Sequence, residues 1–159
     1  MYPNAKYYGT PRHLRNIKDV PWAGTSDSEE VRSMWPGELS LEVTPCLAYE
    51  NPAEDNHAAA VFVFHHGSRT LHLDDTLTYF NQVPWLLSLL GTKPDEMKFR
   101  FDLKKQLDKC GTPDAMKVFR DWYSDKVLAW DIENASFAHN GVIEGGAKQK
   151  FEKCLGFLK

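Results

Sequence analysis

Three residues of this 159-residue chain combine metal-ligand chemistry with positions next to predicted strands or helices. His57 precedes an apolar run, Asp75 follows a short alternating segment, and His139 lies in the loop before the last predicted helix. Two imidazoles and one carboxylate are a common ligand set for zinc or iron, and a metal site with open positions can activate water. A metal site formed by these three residues is therefore one hypothesis.

Each of these residues also has an ordinary structural role. A lone loop histidine is usually solvated or caps a turn, and Asp75, like Asp74, can cap the turn after its strand. Successive residues of a strand point to opposite faces, so His65 and His66 cannot share an ion, and His72 is expected to face solvent or a neighbouring layer. The histidines that compete for a ligand role are His13, His65, His66 and His72. Spacing alone does not choose among them.

The elements that must position these residues alternate between strands and helices. Leu39, Leu41 and Val43 alternate with polar residues and predict a half-buried strand. The apolar run from Ala58 to Phe64 predicts a strand covered on both faces, and Thr70 to Leu73 returns after a turn as its hairpin partner. Further predicted elements are a strand over 5–8, helices over 11–15, 93–110 and 147–155, a helix that starts at Thr112-Pro113, and a strand over 127–132.

Composition limits the class of protein. A chain of 159 residues with 42% hydrophobic residues fits one domain, 1–159. A net charge of −3 and a pI near 6.1 predict neither nucleic acid nor an anionic membrane as partner, and no apolar run is long enough for a membrane span. Three widely separated cysteines and a start without an apolar signal core favour free thiols and a cytoplasmic location.

Four segments resemble, in the right order, the C-terminal part of metallo-β-lactamase-fold hydrolases. Residues 68–77 (SRTLHLDDTL) are similar to the strand that ends in a metal-bridging acid, matched by Asp75. Residues 137–146 resemble the last motif, which supplies a histidine ligand matched by His139, and Asn56-His57 resembles the third-motif histidine. Residues 2–6 look like the segment after the first metal-binding helix. The resemblance implies a partial αβ/βα sandwich with a mixed sheet and flanking helices.

The family's main ligand motif, H-x-H-x-D-H, is absent from this chain. The resemblance implies that His57 belongs to the first metal, His139 to the second, and Asp75 to both. Zinc sites normally have three or four protein ligands, so we expect weak or substoichiometric binding of Zn, Fe or Mn. A single ion shared by the three residues requires all of them to converge on it.

These observations lead to three hypotheses about function. The first is a metal-dependent hydrolase that attacks an ester, amide, thioester or phosphoester of unknown identity, incomplete and weakly active or inactive as this chain. The second is a non-catalytic remnant or interaction module on the same scaffold, which forms a homodimer or pairs through an open sheet edge. The third is a small binding protein unrelated to the family. Independently of these three, Trp22 and Trp35 in the long loop region are either core contacts or candidate residues of a substrate pocket, because loops over the metal edge commonly carry specificity.

Overall fold

The computed structural model describes residues 2, 4–47, 60–138 and 141–158. They form a mixed α/β structure with helices beside a five-stranded mixed sheet. In chain order the elements are β1 (Tyr7–Gly9), α1 (Pro11–Asn16), β2 (Trp22–Thr25), α2 (Glu29–Arg32), β3 (Leu39–Val43), β4 (Val61–His65), β5 (Thr70–Leu73), β6 (Leu77–Thr78), α3 (Trp85–Leu89), β7 (Lys98–Phe99), α4 (Leu103–Asp108), α5 (Ala115–Trp122), a π-helical turn (Tyr123–Val127), β8 (Asn134–Phe137), β9 (Gly141–Ile143) and α6 (Ala147–Leu155).

The main sheet has the strand order β3-β4-β5-β8-β9. Strands β3, β4 and β5 form an antiparallel meander, β8 runs parallel to β5, and β9 returns antiparallel to β8. Parallel neighbours need a long crossover, and the segment from β6 to the π-helical turn provides it. The expected mixed sheet with flanking helices is confirmed, whereas the metallo-β-lactamase type stays a prediction.

One face of the sheet forms the core with α4, α5 and α6. Alternate strand residues point to this face, which is the reason for the two-residue burial period of β4 and β5. Full burial of each leucine or phenylalanine stabilises the fold by roughly 1.5–3 kcal/mol. The π-helical turn is joined to α6 by a hydrogen bond from Tyr123 Oη to the Phe151 carbonyl oxygen, 2.9 Å long. Core residues include Phe62, Phe64, Leu71, Leu73, Phe119 and Phe151.

The opposite, outer face of the sheet has two halves of different chemistry. Over β3 and β4 it carries half-buried apolar residues such as Leu41 and Val63, and the N-terminal elements lie against this half. Over β5 and β8 it carries polar residues such as His72 and Ser136. The prediction that β4 is covered on both faces is therefore met in part: its core-facing residues are buried, whereas Val63 on the outer face is half-buried.

The long helix predicted over 93–110 is wrong. Pro94 and a left-handed Asp95 (φ 59°) make a turn, and β7 pairs with β6 before α4 begins at Leu103. Phe101, an apolar residue of this segment, is 94% exposed. Proline restricts the residue before it, and the ladder with β6 then competes successfully with helix propensity.

The strand predicted over 127–132 is also wrong. This stretch continues the π-helical turn into a loop, in which Val127 and Ile132 are buried. Lys148 Nζ donates hydrogen bonds to the carbonyl oxygens of Leu128 and Trp130, so side-chain contacts from α6 replace a strand partner. The segment is apolar because its residues contact the core. A short apolar run of this kind resembles the sequence pattern of a buried strand.

Most of the other predicted elements are confirmed near their predicted bounds. The last helix spans Ala147–Leu155 as predicted, the first spans Pro11–Asn16, and the first strand begins two residues later than predicted, at Tyr7. Residues 58 and 59 of the predicted 58–64 strand lie outside the described residues. In the described ranges, no helix has the length and apolar character needed to cross a bilayer.

Candidate functional site

Three strand termini meet at one edge of the main sheet, namely the edge formed by the ends of the strands. Leu73 of β5 lies opposite Phe137 of the parallel strand β8, and the Ala138 N–H donates to the Leu73 carbonyl oxygen at 3.1 Å. Strand β4 is antiparallel to β5, so it begins at the edge where β5 ends. Asp75 follows β5 at this edge. His57, which precedes β4 in the chain, and His139, which follows Ala138, lie outside the described residues.

The Asp75 carboxylate lies beside a cation. Its side chain is 21% exposed, and Arg100 Nη1 lies 3.5 Å from Asp75 Oδ2. Arg100 reaches this position because β7 pairs with β6 and because its own N–H donates to the Thr76 carbonyl oxygen at 3.1 Å. The closer partner of Arg100 is Asp102, with 2.7 Å between Nε and Oδ1. A guanidinium at this distance opposes the approach of a metal cation to Asp75.

The described residues do not fit a metal ion by themselves. Among them, no group of three or more histidine, cysteine, aspartate or glutamate side chains is close enough to hold one. A zinc site takes three or four protein ligands, and Asp75 is the one predicted ligand that the structure describes. Whether Asp75 joins a complete ligand set therefore depends on His57 and His139.

The competing histidines each have a hydroxyl partner. His65 Nδ1 and His66 Nε2 lie 2.8 Å from the hydroxyls of Ser68 and Ser40 respectively. His72 Nδ1 lies 2.9 Å from Ser136 Oγ on the exposed outer face, as expected for a solvent-facing residue. A nucleophilic serine needs its base oriented by a third group and donors for the oxyanion. Among the described residues, no hydrogen bond joins His72 to a carboxylate that would orient it.

The thiol and phenol groups with shifted pKa values are shifted away from reactivity. Burial raises the pKa of the Cys154 thiol to about 12. Burial, followed by the hydrogen bond to Asp95, raises the pKa of Tyr79 to about 12. Burial also raises the pKa of Cys46, which contacts Cys110. Because thiolates are the reactive form, none of these shifts activates a nucleophile, and the three cysteines are free thiols as expected.

Sequence reasoning missed Arg100 and Asp102 as neighbours of the candidate site. The available signal was the two-residue alternation of charged Lys98, Arg100 and Asp102 with Phe99 and Phe101, which is the period of a strand. Helical spacing of the wider segment obscured it. Strand pairing of β7 therefore decides which charge faces Asp75.

With this geometry in place, comparison of the chain with profiles of known protein families, with curated proteins and with solved structures gave no significant match.

Proposed function

We propose that this chain is a metal-dependent hydrolase-like domain with an incomplete metal centre formed by His57, Asp75 and His139. The observation that carries the proposal is the meeting of three strand termini, the start of β4 and the ends of β5 and β8, at one edge. The chain segments named by the family resemblance adjoin these three termini in sequence. Hydrolysis by metal-activated water is the reaction class that the resemblance implies.

The contacts of Asp75 limit how strong such a centre can be. Arg100 neutralises part of the Asp75 charge, and three ligands are the minimum for one zinc ion. We therefore expect one weakly held ion shared by His57, Asp75 and His139, and inefficient catalysis by this chain. Zn, Fe and Mn are the candidate ions, because imidazole and carboxylate ligands accept all three.

Metal titration tests this proposal. We expect isothermal titration with Zn²⁺ to give one site, and Asp75→Asn and His139→Ala each to weaken it at least about tenfold, since each removes one of three ligands. Asp108→Asn is the matched control, because Asp108 is an exposed carboxylate paired with Lys104 on α4. Absence of a saturable site in the wild-type chain, or equal affinity in Asp75→Asn, contradicts the proposal. Circular dichroism verifies that each variant is folded.

A second candidate function, the interaction module, is supported by the surface of α3. Trp85, Leu86, Leu89 and Leu90 are 57–77% exposed. No charged residue occurs between Asp75 and Lys93. A contiguous exposed apolar patch favours association with another protein surface. For this second candidate function, the partner is a second copy of the chain.

Sedimentation equilibrium tests the second candidate. We expect a concentration-dependent dimer that Leu89→Glu converts to a monomer, because a buried unpaired carboxylate opposes the contact. Val118→Glu, on α5, is the matched control at another exposed apolar position. A wild-type chain that stays monomeric at high concentration contradicts this function.

A further inference from the structure

A cavity of about 410 Å³ lies between the N-terminal elements and the apolar half of the outer sheet face. Trp22 and Trp35, the two candidate pocket residues of the sequence analysis, both line it, together with Tyr8. Leu41 of β3 and Val63 of β4 form part of the opposite wall. Binding sites for small molecules are typically concave, mainly apolar and about 300–1,000 Å³ in volume, and this cavity lies in that range.

The aromatic wall is held in place by contacts of its own. Trp22 Nε1 donates to the Ile17 carbonyl oxygen at 2.8 Å, which fixes the indole ring. A Cβ atom at Gly9 would lie 2.9 Å from the same ring, so glycine permits the close approach of β1 to Trp22. The rings of Tyr8 and Trp35 meet edge to face with centroids 5.5 Å apart. The cavity is therefore preformed and does not need a ligand to assemble it.

One polar group in the lining has no partner. Ser26 is 5% exposed, and its Oγ makes no hydrogen bond within the described part of the chain. A buried hydroxyl is normally paired, as Thr44 is with both backbone groups of Ala60. Ser26 lines the cavity, so rotation of its side chain about χ1 would present this unpaired hydroxyl, which is closed off from solvent, to a ligand.

The charge of the lining restricts the ligand further. None of the described residues that line the cavity is an aspartate, glutamate, lysine or arginine. The lining residue His13 accepts a hydrogen bond from the Thr10 N–H at its Nδ1, at 3.1 Å. An ionised ligand would leave water for an apolar site without an opposite charge, which is costly.

We propose that this cavity binds a neutral, flat aromatic molecule that carries a single hydroxyl or carbonyl group, and that Ser26 forms a hydrogen bond with that group. The three aromatic side chains contact the ring system, and Leu41 and Val63 exclude water from it. Asp75, the candidate metal ligand that the structure describes, does not line this cavity, and the present proposal does not rest on the metal-dependent function proposed above.

Three related probes test the proposal on the full chain: naphthalene, naphthol and naphthoate. We expect saturable binding of one molecule of naphthol, about tenfold weaker binding of naphthalene, which lacks the hydroxyl, and no measurable binding of the anionic naphthoate. Isothermal titration gives the affinities. Absence of saturable naphthol binding, or tightest binding of naphthoate, overturns the proposal.

Substitutions locate the site and the hydrogen bond. We expect Ser26→Ala to weaken naphthol about tenfold and to leave naphthalene unchanged, so that the two probes bind alike. Ser88→Ala, an exposed serine on α3, is the matched control and should bind as the wild type does. Leu41→Phe should reduce binding of both probes by filling the cavity. Equal effects of Ser26→Ala on both probes overturn the role of Ser26, and normal binding by a folded Leu41→Phe variant overturns the location.

Discussion

The Arg100 guanidinium reaches the Asp75 carboxylate across 3.5 Å, from Nη1 to Oδ2. This contact joins the turn after β5 to the end of β7, and it places a positive charge beside the one described residue of the proposed metal centre. Because of this contact, the proposed metal centre can be tested by a change of charge at Arg100, without removal of a metal ligand.

Arg100→Gln is expected to tighten Zn²⁺ binding. Removal of one positive charge near a partly exposed site should favour a cation by about 1 kcal/mol, or about fivefold in affinity. Asp102→Asn is the opposing control, because it frees Arg100 from its closer partner and lets it pair fully with Asp75. Titration calorimetry measures both. Unchanged affinity in Arg100→Gln contradicts a role for Asp75 as a ligand.

Two buried hydroxyls should respond in opposite ways to removal. Ser26→Ala eliminates an unpaired hydroxyl and should raise the free energy of unfolding by about 1 kcal/mol. Thr44→Ala eliminates a hydroxyl that bonds the Ala60 backbone and should lower it by about 1–3 kcal/mol. Urea unfolding compares the two variants. A loss of stability in Ser26→Ala means that its hydroxyl has a partner in solution.

Alkaline pH should destabilise the fold through Cys154. Its thiol is fully buried, and burial raises its pKa from 9.0 in the unfolded chain to about 12 in the folded protein. Between these values the unfolded state loses a proton that the folded state keeps, so stability falls as pH rises, by about 1 kcal/mol per pH unit. Cys154→Ala should flatten this part of the profile. Unfolding free energies measured from pH 8 to 11 test it, and an unchanged slope in the variant contradicts the assignment.

Asn81 should protect the β9 edge of the sheet. Its side-chain amide donates to the Val142 carbonyl oxygen and accepts from the Val142 N–H, both at 2.8 Å, which occupies the groups that a further strand would use. Asn81→Ala is expected to lower stability by about 1 kcal/mol and to increase self-association. Gln82→Ala, at the next position, should change neither. Chemical unfolding and light scattering provide the measurements, and a monodisperse, equally stable Asn81→Ala variant rejects the protective role.

The amino-acid sequence by itself determined the elements whose signals are local. Alternation of Leu39, Leu41 and Val43 with polar residues specifies β3, because successive side chains of a strand point to opposite faces of the sheet. Thr10-Pro11 begins α1, and Gly146 and Gly156 bracket α6. Such signals depend only on residues close together in the sequence, so these elements can be predicted without the rest of the chain. The mixed α/β character follows from them.

Only the tertiary structure decided the contacts that join distant parts of the chain. Pairing of β7 with β6 overrode helical spacing and brought Arg100 to Asp75, and packing against α6 turned an apolar segment around Ile132 into a loop. The cavity beside Ser26 likewise arises from the N-terminal elements lying against the sheet. Long-range pairing and burial depend on residues far apart in sequence, and local propensity is too weak to specify them.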